Sequence, residues 1–109
     1  GLNLNLDRFG YRLGDAVAGD PASPVQLAPD WEGASPPAAA VRVAARCAVD
    51  QAPIRIADPA QRERLIAYCW ADQPVRMARL EAALALAARH PPALEQGDAA
   101  GFTEGRLAE

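Results

Sequence analysis

Residues 57–92, ADPAQRERLIAYCWADQPVRMARLEAALALAARHPP, carry the clearest structural signal in the chain. Asp58-Pro59 is a helix start, with Asp as N-cap, Pro at the first helical position and Glu63 in the first turns. Leu65, Ile66, Cys69 and Trp70 supply the apolar face of that helix. Asp72-Gln73-Pro74 repeats the pattern, so a kink or a restart is expected there. From Val75 to Arg89, the spacing of Met77, Leu80, Leu84 and Ala87 predicts a helical stripe, with Arg76, Arg79 and Glu81 outside it. Arg89-His90 closes the second helix, where positive charge suits the dipole, and Pro91-Pro92 stops it. Downstream, Gly97-Asp98 starts a short last helix over 98–108.

The other half reads differently. Residues 1–57 are rich in Pro and Gly with short apolar runs, and 58–109 are mostly helix formers. Leu2, Leu4 and Leu6 alternate with polar residues, which fits either a strand or a short helix after a loop. Phe9, Tyr11 and Leu13 predict a strand ended by Gly14-Asp15. Asp20-Pro21-Ala22-Ser23-Pro24 is turn chemistry, and Val25-Gln26-Leu27 a short strand after it. Runs 9–13 and 25–28 are expected to pair as a hairpin with a long loop. A further strand is expected over Val41–Val49, with Ile54-Arg55-Ile56 as a short extended piece. The fold class is therefore α+β: short strands in the N-terminal half, two to three helices in the C-terminal half.

Composition narrows the functional classes. The 109 residues suit one domain, and much of their apolar content is Ala, with six aromatics in all. The net charge of −3 argues against a nucleic-acid partner, which a basic stripe would mark. All eleven basic residues are Arg, which fits the codon bias of a GC-rich genome. No apolar run approaches the ~18 residues of a membrane span. Cys47 and Cys69 have no metal-ligand spacing and are expected to be reduced thiols of a cytoplasmic protein. The chain begins Gly1-Leu2-Asn3 without an initiator Met, which reads as a fragment cut inside a motif. Residues 1–109 are then a single partial domain, inactive alone.

No catalytic set is self-contained. His90 is the only histidine and suits helix capping or a solvated surface, so no Ser/His/Asp or Cys/His arrangement can form. The run Tyr68-Cys69-Trp70-Ala71-Asp72-Gln73, followed by Arg76, admits two readings. One is a helix–helix junction in which Trp70 packs and Asp72 caps the next helix. The other is a pocket wall, with Tyr68, Trp70, Asp72, Gln73 and Arg76 offered to a polar or anionic ligand. Asp50 follows a predicted strand, where doubly wound folds place an acid on a ribose, and Asp98 follows Gly97. Both also suit turns or caps.

The strings GLNLNLDRFGYRLGD (1–15), GDPASPVQL (19–27), RLIAYCWADQPVRMARLEAALALAARHP (64–91) and GDAAGF (97–102) resemble a bacterial family known only as a domain of unknown function. The resemblance covers nearly the whole chain and is most specific at Tyr68, Trp70, Asp72, Gln73 and Arg76. Longer members carry Glu-Ile-Gly-x-Ser-x-Gly-Leu-Asn, of which Gly1-Leu2-Asn3 would be the end. That pattern is similar to the first glycine motif of S-adenosylmethionine-dependent methyltransferases. The resemblance thus implies a Rossmann-like α/β domain in the parent protein, with Gly1 in the cofactor loop. It places Asp50 at the ribose and Asp98 at the adenine. Here Ala48-Val49-Asp50 lacks the glycine of the family's Gly-x-Asp turn, and Arg55 stands where the family carries a second acid. The competing reading is a non-catalytic α+β interaction module that forms a homodimer through Trp70 and the Met77/Leu80/Leu84 face.

Overall fold

The computed structural model describes residues 2–37 and 39–108. It is α+β, with short strands gathered mainly in the N-terminal half and α-helices confined to the C-terminal half. The chain opens with a 3-10 helix, Leu2–Arg8, kinked at Asn5. This is the helical alternative for the Leu2/Leu4/Leu6 alternation. Then come β1 (Gly10–Leu13), β2 (Ala16–Gly19) and β3 (Gln26–Leu27), which form a sheet of order β2-β1-β3.

The pairing corrects the expected hairpin of 9–13 with 25–28. β1 makes its hairpin with β2 instead, in the register Gly10↔Gly19 to Leu13↔Ala16. Gly14, at φ 64°, takes the first place of the two-residue turn, where a left-handed conformation favours glycine. The antiparallel return is thereby already made. The Asp20–Pro24 turn brings the chain back to the start of β1, so β3 runs parallel to it, with Gly10↔Gln26 and Tyr11↔Leu27. In that turn Asp20 Oδ1 accepts from Ala22 N–H at 2.8 Å, and Ser23 Oγ accepts from Val25 N–H at 3.2 Å. β2 carries Ala16-Val17-Ala18-Gly19, too little bulk for its alternation to be noticed in the sequence.

A second pair consists of β4 (Ala48–Asp50) and β5 (Leu94–Gln96), parallel, with Ala48↔Leu94, Val49↔Glu95 and Asp50↔Gln96. Parallel strands need a crossover, and here it contains α1 (Pro59–Ala67) and α2 (Pro74–Arg89). The strand expected over Val41–Val49 is thus only its last part. The alternation at Val41 and Val43 meets no neighbouring strand among the described residues, and both side chains stay exposed. Residues 54–56 are likewise not a strand.

Asp58 caps α1 as the sequence implies: its Oδ1 accepts from the N–H groups of Ala60 and Gln61, and its Oδ2 from Gln61 Nε2 at 2.9 Å. The helix ends at Ala67, so Trp70 lies beyond it, 72% exposed rather than packed on its apolar face. A turn from Gln73 N–H to Trp70 C=O then leads into α2. Gln73, not Asp72, is the residue before Pro74 and holds the N-cap position, with no side-chain cap bond. Asp72 is one residue too early to reach the free N–H groups.

α2 provides the core. Leu84, Leu86 and Ala87 are buried, and Leu86 packs against Phe9 and Val25, flanked by Tyr11, Leu27, Ala82 and Ala83. Of the expected docking face Met77/Leu80/Leu84, Leu84 therefore faces the chain's own interior. The last helix, α3 (Ala99–Leu107), starts from Asp98, whose Oδ2 accepts from Gly101 N–H at 3.0 Å.

Candidate functional site

The β4–β5 pair brings the two candidate acids together. Asp50 is the last residue of β4, and Asp98 lies two residues beyond the end of β5. The pair is parallel, so both acids stand at the same carboxyl edge. Gly97 N–H extends the ladder by donating to Asp50 C=O at 3.0 Å. One oxygen of each carboxylate is used locally: Asp50 Oδ1 accepts from Ala52 N–H at 2.9 Å, and Asp98 Oδ2 caps α3. The second oxygen of each remains open to an external donor, and both residues are exposed.

The 3-10 helix reaches this edge from the other end of the sequence. Leu2 and Asn3 line a cleft of about 260 Å³ together with Asp50, Pro53, Ile54, Ile56, Leu65 and Leu94. Beside it, sharing Pro53, Ile54, Ile56 and Leu94, is a cleft of about 460 Å³ with largely apolar walls. It lies between residues 53–57 and the end of α2, with Gln96 on its rim. Asp98 lines neither cleft. Pro53, Ile54 and Ile56 carry no polar signal, and nothing in their spacing marks them as the wall of a site. Gly1, expected in the cofactor loop, lies outside the described residues.

The second candidate group sits elsewhere. Tyr68, Trp70, Asp72 and Arg76 are exposed around the α1–α2 turn, and Gln73 is half-buried. Arg76 Nη1 donates to Gln73 Oε1 at 3.3 Å. The clefts beside Asp50 are lined by other residues.

Electrostatic features are few. Arg46 pairs with Asp7 at 2.7 Å, tying the irregular segment before β4 to the 3-10 helix. The Arg106–Glu95 pair at 3.0 Å is half exposed and adds little to stability. Arg106 also sits over the Phe102 ring, 5.3 Å from its centroid. Burial, with the Asp7 charge second, pushes the Tyr11 hydroxyl above its ordinary pKa, and that hydroxyl donates to Leu6 C=O at 2.7 Å. Among the described residues no three His, Cys, Asp or Glu side chains group as metal ligands, and no helix is long and apolar enough to cross a membrane. Cys47 and Cys69 are free thiols.

No match exists among curated proteins or among solved structures. A family model described as an uncharacterised protein conserved in bacteria (DUF2332) matches residues 1–109, end to end. The chain belongs to that bacterial family.

Proposed function

We propose that the carboxyl edge of β4 and β5 is part of an S-adenosylmethionine site in a methyltransferase-like protein, with Asp50 toward the ribose and Asp98 toward the adenine. The observation that carries this reading is the placement of the two acids at one end of two paired parallel strands. Ligands of open α/β sheets bind at that end. The open cleft that joins Leu2 and Asn3 to Asp50 supports it further, because the expected glycine loop leads directly into those residues.

The donor set fits the group. Each carboxylate keeps one unengaged oxygen, and hydroxyl and amine donors are what a nucleoside offers. The cofactor would supply an activated methyl group, and the chain's own residues hold and orient it. No residue here is assigned a proton-transfer role.

Calorimetric titration of the intact protein with S-adenosylmethionine tests this. Asp50→Asn and Asp98→Asn keep the local turn and cap, since Asn serves both, but remove the charge. Each is expected to weaken binding by roughly tenfold or more, the scale of a hydrogen bond to a charged group. Absence of binding by the wild-type protein refutes the reading.

A second reading, an interaction module that pairs with another copy, is favoured by one observation. Tyr68, Trp70 and Val75 are 66%, 72% and 71% exposed around the α1–α2 turn. On this reading the turn, rather than the Leu84 face, makes the contact. Light scattering that shows a dimer lost in Trp70→Ser supports it, and a monomer at high concentration excludes it.

A further inference from the structure

At the opposite end of the 3-10 helix from Asn3, a cleft of about 340 Å³ opens between Arg8, the Asp20–Pro24 turn and the last turn of α2. Its walls are mainly polar and include Arg8, Ser23, Arg89 and His90, with Asp7 and Asp20. The charges do not cancel locally. Asp7 is engaged by Arg46 at 2.7 Å, and Asp20 keeps its charge although it accepts from Ala22 N–H, so Arg8 and Arg89 together leave a positive excess over it. Arg8 and Arg89 have no acid partner among the described residues. Arg8 Nε is also shielded from solvent with no acceptor, and a shielded guanidinium N–H is strongly favoured to find one.

The backbone is arranged to the same effect. A helix C-terminus normally presents carbonyl oxygens that repel an anion. Here one of those carbonyls, that of His90, is taken by Asn5 Nδ2 at 3.0 Å, and Arg89 brings positive charge to that end. Ser23 Oγ accepts from Val25 N–H, and a hydroxyl that accepts in this way can still donate. We infer that this cleft binds a small oxyanion, the phosphate or carboxylate group of a ligand, between the Arg8 and Arg89 guanidinium groups and the Ser23 hydroxyl. Guanidinium forks match both oxyanions. None of these residues belongs to the Asp50–Asp98 edge, so anion binding in this cleft is independent of the cofactor reading.

Amide NMR titration with inorganic phosphate, and separately with acetate, at constant ionic strength tests it. Saturable shifts at Arg8, Ser23 and His90 are expected with at least one of the two. Saturation by phosphate alone assigns a phosphorylated ligand, and saturation by acetate assigns a carboxylated one. Arg89 is exposed, so Arg89→Gln leaves the fold intact and should weaken binding at least tenfold. Arg79→Gln, an exposed arginine elsewhere on α2, should leave binding unchanged. No saturation with either anion overturns the inference, as does unchanged affinity in Arg89→Gln or an equal loss in Arg79→Gln.

Discussion

Asn5 Nδ2 donates a hydrogen bond to the carbonyl of His90 at 3.0 Å, joining two residues 85 positions apart in the sequence. Asn5 is 1% exposed and occupies the kink of the 3-10 helix, at φ −100° and ψ 23°. The bond fixes the first residues of the chain to the end of α2. It therefore sets the position of Leu2 and Asn3 beside Asp50 and of Arg8 beside Arg89. Both candidate sites draw on this contact, which acts with the Arg46–Asp7 pair to place the 3-10 helix.

Asn5→Ala should accordingly destabilise the fold by about 1–3 kcal/mol, the range for leaving a buried polar group unpaired. Asn3 is exposed, and Asn3→Ala should stay within about 0.5 kcal/mol of wild type. Urea unfolding curves for the two variants make the comparison. Equal effects would mean that the Asn5–His90 bond does not hold the N-terminal segment in place.

Leu84 is fully buried, whereas Val75 on the same helix is 71% exposed. Truncating Leu84 to Ala leaves a cavity in a core that has few large side chains to collapse into it. A loss of about 2–5 kcal/mol is expected, against less than about 0.5 kcal/mol for Val75→Ala. If the exposed substitution proved as damaging, α2 would have to bury the opposite face.

How much of this was legible follows from where each signal resides. The α1 cap is local: Asp58 and Pro59 stand as the sequence reading has them, and the Gln61 side chain that also bonds Asp58 is an addition from the structure. The stripe of α2 is likewise a property of spacing. β2 and β5 were missed because each is too short and too poor in large apolar residues to show a period; pairing with a neighbour makes them strands. Val41–Val43 is the converse case, a strand pattern without a neighbour among the described residues. Asp50 and Asp98 were legible as candidates through resemblance. The wall formed by Pro53, Ile54 and Ile56 was not, because apolar residues announce no chemistry. Arg8, Ser23 and Arg89 meet only through the tertiary fold, and no spacing in the sequence could join them.

Gly19 and Gly33 both have left-handed backbones, at φ 74° and 86°. An added Cβ at Gly19 would collide with the Phe9 carbonyl oxygen across the hairpin, whereas at Gly33 it would meet open space. Gly33→Ala should therefore show only the backbone penalty of about 1–2 kcal/mol. Gly19→Ala should exceed it, because the β1–β2 register must shift. Thermal midpoints in that order support the pairing of Gly10 with Gly19, and the reverse order contradicts it.

Asp58 gives the fold a defined acid sensitivity. The Gln61 side chain and then the N–H groups of Ala60 and Gln61 hold its carboxyl below the ordinary value of 3.8. Between the lowered folded value and the unfolded one, the unfolded state binds more protons, so stability rises with pH across that interval. The contribution of the charged cap is complete above the unfolded value and disappears as pH falls through the folded one. Asp58→Asn keeps a cap that does not titrate. The difference in unfolding midpoint between wild type and Asp58→Asn should be constant from about pH 5 to 7 and change, to the disadvantage of wild type, below about pH 4. Using the difference cancels the protonation of every other carboxylate. A difference that stays flat down to pH 2 would show that the Asp58 charge does not contribute to holding α1.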